Sequence, residues 1–154
     1  MRKAILLLAV FGLAGSLWAA DPIIGTWKLN VAKSKFSPLG WAAPKEQSET
    51  YREIDGKIEL TWKNVETNGT TLVSIVTFPS QGGSAKCSQF CMEGVSFVQT
   101  LIAGEWYVTY LRDGKQFQTR HKAVSKDGKT MRQTLRSVND EGQPFELLLV
   151  FDRQ

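Results

Sequence analysis

Residues 105–117 read EWYVTYLRDGKQF, and the fold turns on this stretch. Trp106, Val108 and Tyr110 fall at every second position, as apolar side chains do along a strand with one buried face. Asp113-Gly114 supplies the positive φ angles of a two-residue hairpin turn, and Lys115 opens a second extended run that returns beside the first. The spacing predicts an antiparallel hairpin.

The same unit recurs in both directions along the chain. Asp55-Gly56, Asn68-Gly69, Gln81-Gly82-Gly83, Glu93-Gly94, Ala103-Gly104, Asp127-Gly128 and Glu141-Gly142 punctuate it at intervals of about 9 to 14 residues. Between them Ile58, Leu60 and Trp62 share one face, as do Phe145, Leu147, Leu149 and Phe151. The alternation is less clean where Val95, Phe97 and Leu101 oppose Val98 and Ile102. Nine or ten candidate strands result, at residues 24–30, 46–54, 57–65, 70–79, 84–90, 95–102, 105–112, 115–124, 129–138 and 144–151. No segment carries a sustained helical stripe. A meander this long closes on itself because closure removes exposed edges. The predicted fold is therefore all-β, an antiparallel up-and-down meander closed into a barrel of 8–10 strands.

One stretch breaks the rhythm. Residues 31–45 read VAKSKFSPLGWAAPK, with Pro38 and Pro44 and no alternation. It reads as a long loop across one barrel end, either a lid or a plug that closes the core with Phe36 and Trp41.

Upstream, Arg2 and Lys3 precede the apolar run 4–14, and small residues follow up to Ala20. That order is a secretory signal peptide over residues 1–20. An uncleaved membrane anchor is the alternative, but the run is shorter than the ~20 residues that span a bilayer. The expected product is one domain over residues 21–154, periplasmic or secreted and not stably inserted in a membrane. Removing Arg2 and Lys3 takes the basic count from 19 to 17 against 15 acids. Such a near-neutral chain, with its charges interspersed, does not suggest a nucleic-acid partner.

The first strand reads Ile23-Ile24-Gly25-Thr26-Trp27-Lys28-Leu29. Its Gly-x-Trp triplet resembles the lipocalin and fatty-acid-binding-protein group of β-barrels, the calycins. The resemblance implies that Gly25 and Trp27 form a structural barrel end, with the indole beneath a basic residue of the last strand, here Arg153. An indole face attracts a guanidinium, and the guanidinium fork can donate to chain carbonyls. The runs GTWKLNVAKSKF (25–36), SKDGKTM (125–131) and FDRQ (151–154) are also similar to a family of exported bacterial proteins, which brings no activity with it. One departure matters. The carboxylate-binding Arg-x-Tyr of fatty-acid-binding proteins is absent from the final strand LLLVFDRQ, so fatty-acid binding does not carry over.

The chemistry-bearing residues are sparse. His121 is the single histidine, which disfavours a metal site, a Ser-His-Asp triad and a Cys-His pair alike. No catalytic residue, cofactor or metal ligand is assigned, and an enzyme is the less favoured class. Asp55, Asp113, Asp127, Glu93 and Glu141 sit in turns, where acids serve local hydrogen bonding. Cys87 and Cys91 are either a disulfide, which requires a tight turn between them, or two packed thiols in a continuous strand.

Aromatic residues fall on the apparent inward faces. Alternation assigns Trp62, Phe97, Gln99, Trp106, Tyr110, Thr119, His121 and Gln133 to the lining of a candidate cavity for a small apolar or amphipathic ligand. The resulting function is an exported small-molecule-binding protein. The alternative is a filled barrel serving as an envelope protein-interaction module, an inhibitor or adaptor.

Overall fold

A computed structural model describes residues 20–154. The reading of residues 1–20 as a signal peptide falls, but for Ala20, outside the described residues. Ten strands follow one another: β1 (Gly25–Leu29), β2 (Glu46–Ile54), β3 (Lys57–Val65), β4 (Thr71–Pro79), β5 (Gly83–Gln89), β6 (Val95–Ile102), β7 (Glu105–Arg112), β8 (Lys115–Val124), β9 (Thr130–Val138) and β10 (Pro144–Arg153). Each pairs antiparallel with its neighbour in sequence, and β1 pairs with β10 to close the barrel. Among the described residues no helix is long and apolar enough to cross a membrane.

Tight turns make this meander possible. Asp55 and Gly56 have φ of 50° and 73°, and Asp113 and Gly114 have 50° and 75°. Two successive positive φ values match the right-handed twist of the flanking strands, whereas ordinary turns would splay them.

Because the strands alternate in direction, successive connections fall at opposite ends. One end carries the short β2–β3, β4–β5, β6–β7 and β8–β9 turns together with residues 21–24. It is closed by a packed apolar layer in which Ile23, Trp27, Tyr51, Ile58, Phe78, Trp106, Met131 and Phe151 are all essentially inaccessible. Phe78 and Trp106 meet edge to face at 5.1 Å, a favoured geometry for aromatic quadrupoles. The other end carries the 31–45 segment and the β3–β4, β5–β6, β7–β8 and β9–β10 turns.

The 31–45 segment is docked rather than free. After a 3-10 turn at Val31–Lys33 it bridges Lys35 to Leu148 of β10. At Gly40 the backbone comes so near β10 that an added Cβ would lie 2.8 Å from the Phe145 ring. Beside this end the wall is thin. The register of β5 with β6 spans only Gly83↔Gln99 to Ala85↔Phe97.

Candidate functional site

The open end leads into a cavity of about 740 Å³, within the range of small-molecule sites. The interior is hollow, not filled. Leu60, Trp62, Val76, Phe97, Val108 and Leu149 form apolar walls, each placed inward by the two-residue period of its strand. Gln47, Gln99 and Gln118 add neutral polar groups. The mouth is rimmed by Phe36, Trp41, Pro44, Phe90 and Met92. Phe36 packs partly against the core while Trp41 is half exposed. The 31–45 segment therefore covers part of the mouth without plugging the barrel.

A buried charged cluster lies against the cavity on β2, β8 and β9. Glu49 is fully buried. Arg120 Nη1 lies 3.4 Å from its Oε1 and donates at 3.2 Å to Gln133 Oε1. Lys122 Nζ lies 3.6 Å from Glu49 Oε2 and donates at 2.6 Å to the Tyr51 hydroxyl, which in turn donates to that same Oε2. Gln133 Nε2 adds a further bond to Oε2 at 2.8 Å. One carboxylate thus faces two cations, leaving an excess of one positive charge in the interior. Among the described residues, Arg120 Nε is a buried donor with no acceptor, and such a donor normally finds a partner.

These neighbours set the protonation states. Burial pushes the Glu49 carboxyl up, but Lys122 and Arg120 beside it, with hydrogen bonds from Tyr51 and Gln133, hold it below its ordinary value and ionised. Burial and the adjacent Glu49 charge raise the Tyr51 hydroxyl well above its ordinary value. Tyr110 is also raised, chiefly by burial. Burial depresses the Lys122 ammonium to about 8, with Arg120 acting in the same direction and Glu49 opposing.

No protein-family model matches the chain, and no curated protein matches it either. Among solved structures it is similar to a variant of the fluorescent protein UnaG, at 18% identity and a TM-score of 0.62, over 88% of this chain and 99% of that one. The fold is a calycin-like barrel. At that identity the likeness concerns the fold alone.

Within the calycin-like barrel the residues expected to line the cavity separate into three groups. Trp62, Phe97, Gln99 and Tyr110 face the cavity. Trp106 and Gln133 are buried but outside its lining. Trp106 belongs to the closed-end layer and donates to Asp21 Oδ2 at 3.0 Å, and Gln133 braces Glu49. Thr119 and His121 do not line it; they occupy the outer face of β8. There His121 stacks on Tyr107 at 4.5 Å, and its Nε2 lies 2.7 Å from Glu105 Oε2.

The cause of that last discrepancy is a bulge. Tyr110 pairs with Gln118 but Leu111 pairs with Gln116, so Phe117 is an extra residue in β8. Alternation counted from the apolar Phe117 is therefore one residue out of phase, and every later side chain changes face. Gln118, Arg120 and Lys122 point inward instead. A sequence signal for this existed across the ladder. Lys122, Arg120 and Gln118 pair with Gln133, Leu135 and Ser137, and directly paired residues share a face. An inward Leu135 thus implies an inward Arg120. For Glu49 there was no comparable signal, because EQSETYREI in β2 is polar on both faces except for Tyr51 and the terminal, exposed Ile54.

Two structural features frame the site. At the closed end of the calycin-like barrel the Arg153 guanidinium lies 4.1 Å above the Trp27 ring. It donates to the carbonyls of Gly128, Ile24 and Pro22 at 2.5, 2.8 and 2.5 Å. Gly25, at φ 134°, leaves room for it, since a Cβ there would sit 2.5 Å from Nη1. At the mouth Cys87 and Cys91 are joined in a disulfide with Cα atoms 5.7 Å apart. The segment between them is accordingly a tight turn, with Phe90 at φ 49°, and the continuous strand of the two-thiol alternative does not form.

Proposed function

We propose that this chain is an exported binding protein whose barrel holds a small, partly apolar ligand with an anionic head and releases it unchanged. The observation that carries the reading is the pairing of an apolar, open cavity with an interior surplus of positive charge and an unpartnered Arg120 Nε–H. Apolar walls favour a hydrocarbon body. A carboxylate, sulfonate or phosphate would supply the missing acceptor and offset the surplus charge through strong charge-assisted hydrogen bonds. The calycin-like fold, found in ligand-holding barrels, is consistent with this role. The head-group site differs from an Arg-x-Tyr on the last strand, since its cations come from β8. Export to the periplasm or beyond is supported by the basic, apolar and small-residue order of residues 1–20, and weakly by the disulfide.

Calorimetric titration with decanoate and with 1-decanol tests the reading. The acid is expected to bind at least tenfold more tightly, and Arg120→Gln to reduce that preference. Equal affinities, or no binding of either, would overturn it. Native mass spectrometry of protein from its natural source would then identify the resident ligand.

A further inference from the structure

We propose that Lys122 is a covalent capture site for apolar aldehydes, its Nζ forming a reversible imine with a carbonyl carbon delivered down the cavity. The inference rests on the cavity admitting ligands, as argued above, and adds a reaction to it.

Four observations converge on this lysine. Its side chain is 4% exposed and forms part of the cavity lining. Tyr51 Oη, 2.6 Å away, and Glu49 Oε2, 3.6 Å away, hold its Nζ at a defined point. Arg120 contacts the other oxygen of the same carboxylate and carries a spare donor. Both cations line the cavity, so a carbonyl group carried to them would present its carbon to the amine and its oxygen to the Arg120 guanidinium. Finally, the ammonium is depressed to about 8, so a substantial fraction is neutral amine under mildly alkaline conditions, the form that attacks carbonyls. The titratable groups around it are Glu49 and Tyr51 from β2, Arg120 on its own strand and Tyr110 from β7; Gln133 from β9 is neutral.

The step balances without an oxidant or reductant. The Nζ lone pair forms the C–N bond, and the carbonyl oxygen takes up a proton to give a carbinolamine. The C–O bond then breaks, that oxygen leaves as water with the second amine proton, and a C=N bond remains. The Tyr51 hydroxyl, in contact with Nζ, is placed to pass protons between nitrogen and departing oxygen. Water reverses the reaction, so the aldehyde is held rather than consumed.

The test treats the full chain with decanal and sodium cyanoborohydride, which reduces an imine to a stable secondary amine, and maps the product by peptide mass spectrometry. The expected result is one decyl group per chain, on Lys122, with at least tenfold selectivity over any surface lysine at pH 8. Its rate should rise through pH about 8, and decanoate should suppress it. Lys122→Met should leave only slow, scattered labelling; if that variant fails to fold, the map of the unmodified chain decides alone. Labelling spread evenly over surface lysines, or absent from Lys122, overturns the proposal. Decanoate binding without a Lys122 adduct would overturn it while leaving the binding reading intact, whereas failure of both ligands would overturn both.

Discussion

Replacing Trp27 with alanine removes the one side chain that both seals the closed end and supports the guanidinium of the last strand. The indole is fully buried, and truncating such a group costs about 3–5 kcal/mol in lost transfer energy and cavity formation. The Ile23 carbonyl loses the donor that reaches it at 2.7 Å, which adds about 1 kcal/mol. Arg153 loses the ring 4.1 Å beneath it, worth about 0.5–1 kcal/mol at this partly exposed site. The sum of about 4.5–7 kcal/mol is comparable with the whole stability of many small domains, which is about 5–15 kcal/mol. Trp106→Ala should cost less, since it is equally buried and also loses one hydrogen bond, to Asp21, but supports no guanidinium. Trp41→Ala, at a half-exposed site on the mouth, should cost under about 1 kcal/mol. Urea melts of the alanine variants at Trp27, Trp41, Trp62 and Trp106 give the ranking. Trp27→Phe, which keeps a ring but not the donor, separates packing from the hydrogen bond. A Trp41→Ala loss equal to or larger than that of Trp27→Ala would refute the assignment of the barrel seal to Gly25, Trp27 and Arg153.

Three further outcomes are expected. The Lys122 ammonium titrates near 8 when folded and near 10.5 when unfolded, so between these values the unfolded chain binds more protons and stability rises with pH. Denaturant melts should show the chain gaining up to about 3 kcal/mol relative to Lys122→Met across that window; parallel curves would exclude a depressed Lys122. Hydrogen exchange should show backbone amides at 38–43 among the least protected of the described residues and those at 106–110 among the most, and equal protection would contradict the absence of ladder pairing at 38–43. Alkylation of the unreduced, unfolded protein should add nothing at Cys87 or Cys91, and reduction should lower stability by about 2 kcal/mol at most, because the ring they close is small; two alkyl groups added without reductant would show that the bond is absent.

The architecture was legible because its signals are local. Asp55-Gly56 and Asp113-Gly114 specify hairpin turns through φ angles that few other residues adopt, and the alternation of Trp106, Val108 and Tyr110 sets a face within a few residues. The predicted boundaries of β2, β3, β6, β7 and β8 coincide with those of the structure. Cavity placement was less legible. Trp62, Phe97, Gln99 and Tyr110 face the interior because apolar neighbours on their strands set the phase of the alternation. Thr119 and His121 do not, because one inserted residue at Phe117 reverses the phase of the rest of β8.

The sequence by itself thus determined the turns, the up-and-down order, a strand count of 8–10 and the irregular stretch at 31–45, all of which depend on residues close along the chain. Only the tertiary structure decided that the barrel is hollow, that Cys87 and Cys91 are joined, and that Glu49, Arg120, Lys122 and Gln133 meet inside it. A charged side chain on a strand reads as solvent-facing on composition alone. Burying it is tolerable only when opposite charges and hydrogen bonds arrive from other strands. Glu49 on β2 lies 71 residues from Arg120 and 84 from Gln133, and only closure of the barrel brings them within hydrogen-bonding distance.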